Sequence, residues 1–143
     1  MQRLGEGPML DLLPTGSTLW LDGGHNEAAA AAVSATLAQV AQGRPVHLIL
    51  GMLANKDARG LLAPFAPLAT SLHAVPVPGH EHHAPAELAE IARGLGIPTT
   101  AAAPDVPSAL RNIAAQGSAP AVLVLGSLYL AGTVLEANGE LPA

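Results

Sequence analysis

Three short polar segments follow apolar runs in this sequence and precede runs with helical spacing. They are "DGGHN" (22–26), "NKD" (55–57) and "GS" (126–127). Carboxylate, amide, hydroxyl and ammonium groups in such segments can hydrogen-bond a polar small molecule. The same residue types also serve as turn residues and helix caps, and this simpler interpretation suits any one segment. Three such segments together favour a shared binding face.

A further candidate is the histidine-rich segment "GHEHHAP" (79–85), which contains His80, His82 and His83. Imidazole is a common zinc ligand, and His80 and His82 share one face of an extended chain. No carboxylate partner stands at a set ligand spacing, so the segment is interpreted as a solvated loop and no metal site is predicted. Adventitious zinc binding at this segment is the alternative.

Several motifs of nucleotide-binding proteins and hydrolases are absent from the sequence. It contains no G-x-x-x-x-G-K-[ST] phosphate loop, no G-x-G-x-x-G fingerprint and no G-x-S-x-G nucleophile elbow. From its residues alone, the chain is therefore interpreted as a nucleotide-type α/β module that lacks a phosphate cradle and forms half of a site.

Short β-rich runs alternate with alanine-rich amphipathic runs, which is typical of a layered α/β fold with a mostly parallel sheet. About six strands are expected, including 17–22, 46–51, 71–77, 121–126 and a weak edge strand at 98–102. About five helices are expected, and they begin near Asn26, Asp57, Pro85, Asp105 and Ser127. Ligands of such sheets bind beyond the carboxyl ends of the strands, so the three polar segments are expected to form one rim.

Composition limits the class of partner. The 143 residues suit a single domain, 1–143, and carry a net charge of −5 with Lys56 as the only lysine. Neither a nucleic acid nor an anionic membrane is expected as a partner, because both require basic patches. The sequence has no cysteine, no signal-peptide pattern and no apolar run near the ~20 residues of a membrane span. These features indicate a cytoplasmic protein.

Four segments resemble one family, in order, over nearly the whole chain. "LDGGHN" is similar to the D-x-A-H-N-P signature of the C-terminal domains of the Mur ligase superfamily. "LGMLANKD" resembles the G-M-L-x-D-K-D segment of the folylpolyglutamate synthase/dihydrofolate synthase family, and "VLVLGSLYLAGTVLE" resembles its G-S-L-Y-L motif. The opening "MQRLGEGP" is similar to the family's G-R-L-Q segment. The resemblance implies a three-layer Rossmann-like fold with a mixed, mostly parallel six-stranded sheet.

The resemblance implies an ATP-dependent amide ligase. In that family a dihydropteroate or folate carboxylate takes the γ-phosphoryl group of ATP, and the amine of L-glutamate then displaces phosphate. The phosphate loop, the Mg ligands and the pterin site lie in an N-terminal ATPase domain, which is expected to precede this chain and to act in cis. The isolated C-terminal domain is expected to be inactive.

Residues of the first polar segment match nucleotide-binding positions of the family. Asp22 corresponds to an aspartate that accepts hydrogen bonds from the ribose, and His25 and Asn26 border the nucleotide. Arg3, in the opening segment, corresponds to an arginine that contacts the phosphates of ATP.

Residues of the other two segments match positions for the incoming amino acid. Lys56 would pair with a carboxylate of L-glutamate, while Asp57 and Ser127 would contact the same substrate. Lys56 and His25 are the candidate catalytic residues. Tyr129 is interpreted as a packing residue.

Two other functions remain open from the sequence. The chain can be a complete Rossmann-like module that binds a nucleotide or small ligand without catalysis. A structural role is the third hypothesis, in which the alanine-rich helices pack against another copy.

Overall fold

The alternating runs of the sequence form a six-stranded sheet with helices on both faces, in the computed structural model, which describes residues 1–24 and 26–140. Within those residues the strands are β1 (Gln2–Arg3), β2 (Thr18–Asp22), β3 (Val46–Leu50), β4 (Ser71–Ala74), β5 (Thr99–Ala102) and β6 (Ala121–Leu125). The helices are α1 (Glu27–Ala41), α2 (Ala58–Leu62), α3 (Pro85–Gly94), α4 (Val106–Ala114) and α5 (Leu128–Ala137). Short 3-10 helices span Leu10–Leu12 and Ala63–Phe65.

The sheet has the strand order β1-β2-β6-β3-β4-β5. Strand β1 pairs antiparallel with β2, and every other pair is parallel. The short strand β5 lies at one edge, as predicted from Pro98 and its small side chains. The predicted mixed, mostly parallel six-stranded sheet is confirmed.

Alternate residues of the central strands point into two separate aliphatic cores, which makes the fold three-layered. Leu48 and Leu50 of β3 lie in the core beneath α1, α2 and α3, and Ile49 lies in the core beneath α4 and α5. Because parallel strands are covered on both faces, they are mostly apolar, and all five residues of β3 and of β6 are buried, His47 included.

Side-chain caps start four of the helices where the sequence predicts them. Asn26, Asp57, Asp105 and Ser127 each accept a hydrogen bond from the backbone N–H three residues later, at distances of 2.9, 3.1, 2.8 and 3.3 Å. Each cap satisfies one of the N–H groups that the first helical turn leaves without a partner.

Two details differ from the sequence prediction. Strand β4 ends at Ala74 instead of continuing to 77. Val75 still donates its N–H to Leu50, but Pro76 has no N–H with which to extend the ladder. Strand β1 has only two residues, too few for a periodic signal, and its pairing with Trp20 and Leu21 is decided by tertiary contact.

None of the helices in the described part of the chain is both long and apolar enough to cross a membrane.

Candidate functional site

The three polar segments of the sequence lie at one edge of the sheet. Asp22, the last residue of β2, pairs with Leu125 of β6, and Leu125 pairs in turn with Leu50 of β3. The three strands are adjacent and parallel, so the segments that follow them leave the sheet side by side. The structure thereby brings together the loops that carry Asp22, Lys56 and Ser127.

A crevice opens between the ends of β3 and β6 because the chain leaves them towards opposite faces. Strand β3 leads to α2, which contributes to one aliphatic core, and β6 leads to α5, which contributes to the other. Such a reversal of strand order is the usual place for a ligand in an open α/β sheet. The loops of Lys56 and Ser127 flank this crevice.

Lys56 and Ser127 line the same cavity, which has a volume of about 220 Å³. Its remaining lining residues are Leu53, Gly126, Leu128 and Tyr129. The ammonium group of a lysine and the N-terminal end of α5 both favour an anion. The cavity is therefore suited to a small molecule that bears a carboxylate.

The turn from β6 into α5 depends on Gly126. Its φ of +103° lies in the left-handed region, and a Cβ atom there would stand 2.6 Å from the carbonyl oxygen of Gly51. This close approach places Ser127 directly at the helix start, where its hydroxyl oxygen accepts a hydrogen bond from Leu130. Only 3% of Ser127 is exposed, and in this fold the residue caps α5 at the edge of the cavity.

Asp22 lies in a neighbouring cavity of about 480 Å³. One of its carboxylate oxygens accepts the N–H of Gly24 at 3.1 Å. The cavity is also lined by Gly23, whose backbone approaches α5 so closely that a Cβ atom would be 2.9 Å from the Leu128 side chain. Leu128 lines both this cavity and that of Lys56, and so stands between them.

Asn26 and Asp57 do not line either of these cavities. Their side-chain oxygens are occupied as the caps of α1 and α2. The carboxylates of Asp57 and Glu27 both lie close to Gly60. A Cβ atom added at that glycine would stand 2.5 Å from an oxygen of Asp57 and 3.7 Å from an oxygen of Glu27. This part of the rim is acidic. His25, a candidate for both nucleotide binding and catalysis, falls outside the described residues.

Arg3 lies away from both cavities. Its guanidinium carbon stands over the Trp20 ring at 5.8 Å from the centroid, and it lines a shallow groove of about 500 Å³ with Thr18 and Arg44. Arg3 pairs with Trp20 across the β1–β2 ladder, and Trp20 and Asp22 point to the same face because they are two residues apart. Arg3 therefore shares a sheet face with Asp22 without touching it.

Sequence reasoning missed two contacts of the histidine-rich segment. The ring of His80 stacks on Tyr129 with centroids 3.9 Å apart, and Nε2 of His83 lies 2.7 Å from the carbonyl oxygen of Lys56. Tyr129, interpreted from the sequence as a packing residue, is 52% exposed and packs on His80 at the surface. No local signal could have found these contacts, because they join segments more than 25 residues apart.

The three histidines do not converge. His82 uses Nδ1 on the carbonyl oxygen of His80, at 2.8 Å, while the other two rings contact different loops. Among residues 1–24 and 26–140, no group of three or more His, Cys, Asp and Glu side chains is arranged to hold a metal ion.

Residues 10–128 match the family model described as "Mur ligase, glutamate ligase domain". No curated protein matches the sequence significantly.

Several solved structures share this fold. The Mycobacterium tuberculosis folylpolyglutamate synthase complexed with ADP has a TM-score of 0.78 and 22% identity, and the match covers 91% of this chain and 32% of that one. A bifunctional folylpolyglutamate synthase/dihydrofolate synthase from Yersinia pestis, complexed with AMPPNP and Mn ion, has a TM-score of 0.70 and 29% identity, over 95% and 30% of the two chains.

A bifunctional enzyme of the same description, with Mn, AMPPNP and L-glutamate bound, has a TM-score of 0.73 and 27% identity. That match covers 95% of this chain and 30% of the enzyme. The chain thus spans about a third of the length of the solved structures that it matches.

Proposed function

The chain belongs to the Mur ligase family of glutamate ligase domains, and from this premise we propose that it is the C-terminal domain of an ATP-dependent ligase that adds L-glutamate to dihydropteroate or folate. Residues 1–143 form one domain in this proposal. The matched ligases are about three times as long as the chain, which supports a further segment that carries the ATPase domain and acts in cis.

The proposed reaction forms one amide bond while one phosphoanhydride bond of ATP is broken. A carboxylate of the pterin substrate takes the γ-phosphoryl group, and the amine of L-glutamate attacks the resulting acyl phosphate. The C–N bond forms as the C–O bond to phosphate breaks, which leaves ADP and phosphate. Such a reaction depends on charge neutralisation, alignment of the amine and exclusion of water. The contribution of this chain is to bind and orient the amino acid.

The shared cavity of Lys56 and Ser127 is the observation that carries the glutamate assignment. The cavity joins the only lysine of the chain to the N-terminal end of α5, so a carboxylate there meets two sources of positive potential. Its volume of about 220 Å³ suits an amino acid and is too small for a nucleotide. In the proposal Lys56 pairs with a carboxylate of L-glutamate and Ser127 lies at the edge of its site. Asp57, which caps α2 outside the cavity, is proposed to contact the same substrate from the adjoining loop.

The cavity beside Asp22 supports a nucleotide in the neighbouring position. It has about twice the volume of the first cavity, and it combines the carboxylate of Asp22 with apolar side chains of Leu21, Ala131 and Leu135. A ribose hydroxyl can donate a hydrogen bond to the carboxylate of Asp22, while the apolar side chains cover a ring of the nucleoside. We propose that Asp22, Asn26 and His25 border the nucleoside and that Arg3 reaches its phosphates. The Mg ligands are proposed to lie in the ATPase domain, as the family resemblance implies.

The isolated chain is expected to hydrolyse no ATP above a buffer control, because its sequence lacks a phosphate loop. Joining it to the ATPase domain of a bifunctional relative is expected to restore glutamate-dependent release of phosphate. Phosphate release by the isolated chain would contradict its assignment as one half of the enzyme.

Lys56→Ala in the joined enzyme is expected to raise the KM for L-glutamate by about tenfold to a hundredfold. That range corresponds to the loss of one hydrogen bond to a charged group, about 1.5–3 kcal/mol. The KM for ATP is expected to change by less than about twofold, within the usual spread for residues that do not touch that substrate. Arg59→Ala removes an exposed cation in α2, three residues after Lys56, and serves as the matched control. An unchanged KM for glutamate would remove Lys56 from this role.

A further inference from the structure

The histidine-rich segment 80–83 runs alongside the loop that carries Lys56. Leu53 and His82 form an antiparallel bridge, and two backbone hydrogen bonds extend it. Ala54 donates its N–H to Glu81 at 3.2 Å, and His83 donates its N–H to Met52 at 2.9 Å. The two loops therefore form a short two-stranded ribbon at the edge of the sheet.

His83 fixes the end of this ribbon at Lys56. Its Nε2 atom lies 2.7 Å from the carbonyl oxygen of Lys56, and a carbonyl oxygen can only accept, so Nε2 carries the proton in this contact. Lys56 in turn donates its N–H to Leu53. The backbone N–H and the backbone carbonyl oxygen of Lys56 are thus both hydrogen-bonded, which limits the positions that its Cα atom can take.

The other end of the segment reaches the opposite side of the cavity. His80 stacks on Tyr129 at 3.9 Å with an interplanar angle of 20°, and Tyr129 lines the cavity from the first turn of α5. The segment therefore touches both walls: the loop after β3 through His83, and the helix after β6 through His80.

We propose that segment 80–83 positions the two walls of the cavity, with His83 as the positioning residue for Lys56. This inference rests on the proposed function in one respect, the role of Lys56 in binding a carboxylate. His83 does not touch the substrate in this arrangement. It holds the backbone of Lys56 in place in the cavity wall. The side chain of Lys56 therefore extends from a constant position, which sets where its ammonium group can lie.

The test uses the chain itself, because Lys56 is its only lysine. Labelling with ¹³C-lysine then gives NMR signals from this one side chain, and titration with L-glutamate measures a Kd at Lys56. His83→Leu removes the donor, and His83→Gln keeps an amide N–H at a similar reach. His82→Leu is the matched control, because the hydrogen bond of the His82 ring, from Nδ1 to the carbonyl oxygen of His80, stays within its own segment.

His83→Leu is expected to raise the Kd for L-glutamate about fivefold to tenfold, as the loss of one hydrogen bond predicts. It should also shift the Lys56 Cε signal and accelerate hydrogen exchange of the Ala54 amide. His83→Gln and His82→Leu are expected to behave like the unmodified chain. The affinity for ADP should stay the same in all variants, which separates local positioning from general destabilisation.

The outcomes distinguish this inference from the proposed function. If the unmodified chain gives no glutamate-dependent shift, the glutamate site is contradicted, yet the Lys56 signal and Ala54 exchange still decide the role of His83. If His83→Leu leaves both of these unchanged, the positioning role is overturned whatever the chain binds. Should His83→Leu fail to fold, His83→Asn, whose amide is too short to reach, takes its place in the comparison with His83→Gln.

Discussion

Single residues decide the local geometry of the crevice, and Gly126 is the clearest case. Its left-handed backbone and its approach to the Gly51 carbonyl leave no space for a side chain. The sequence pattern of a strand, a glycine and a serine predicts a turn into a helix. It does not predict that a second backbone lies against that turn.

Gly126→Ala is expected to destabilise the fold more than Gly96→Ala. Both glycines are left-handed, with φ of +103° and +96°, so each substitution costs about 1–2 kcal/mol of backbone strain. Only at Gly126 would the new Cβ meet backbone within 4 Å, which adds about 1–3 kcal/mol of overpacking. Urea denaturation followed by the fluorescence of Trp20, the only tryptophan, measures both values. Equal losses in the two variants would show that the contact with Gly51 is not restrictive.

Helices and strands are the scale at which the sequence was most informative. The predicted starts of four helices are confirmed because a capping side chain bonds to an N–H only three residues away, so the signal and the contact are both local. Strand β1 was not predicted from its residues, since two residues carry no periodicity. Its place beside β2 depends on the partner strand.

Asp105→Ala is expected to lower the free energy of unfolding by about 1 kcal/mol at pH 7, the usual contribution of an N-cap. The hydrogen bond from the Ser108 backbone N–H lowers the pKa of the Asp105 carboxyl, so the ionised form stabilises α4. This part of the stability is present at neutral pH and is lost as the pH falls through the lowered pKa, below 3.8. Asp105→Asn keeps the acceptor, so its difference from the unmodified chain should be small and should narrow on acidification. A difference that widens would contradict the linkage.

The tertiary structure buries two histidines in segments that the sequence analysis describes only as strands. His47 and His73 lie on adjacent strands, and both are 3% exposed. Nδ1 of His47 lies 2.5 Å from the Ser71 hydroxyl, whereas Nδ1 of His73 has no partner within the described residues. Burial lowers the pKa of both rings, and the nearby His73 lowers the pKa of His47 further.

The free energy of unfolding is expected to fall as the pH decreases from 7.5 to 5.5. The unfolded chain takes up protons on these histidines near pH 6.5, and the folded chain does so only at lower pH, so protonation favours unfolding. The full contribution is present above pH 6.5. His73→Leu should flatten part of this dependence. Denaturation series at four or five pH values measure the slopes, and a slope unaffected by His73→Leu would refute the assignment.

Self-association also belongs to this scale and stays a prediction. Leu128 is 71% exposed and Tyr129 is 52% exposed, so apolar side chains are present on the surface beside the crevice. Both residues line the cavity of Lys56, where the ligase proposal already gives them a place.

By itself, the sequence determined the five helices and their starts, the strands other than β1, and the family of the chain. These properties follow from periodicity, capping and motifs, which are carried by neighbouring residues. Only the tertiary structure decided that β6 lies between β2 and β3, that Lys56 and Ser127 share a cavity while Arg3 lies apart, and that His83 holds the Lys56 loop. Such contacts join residues far apart in the chain, and their energies depend on how complete layers pack together, which no local pattern records.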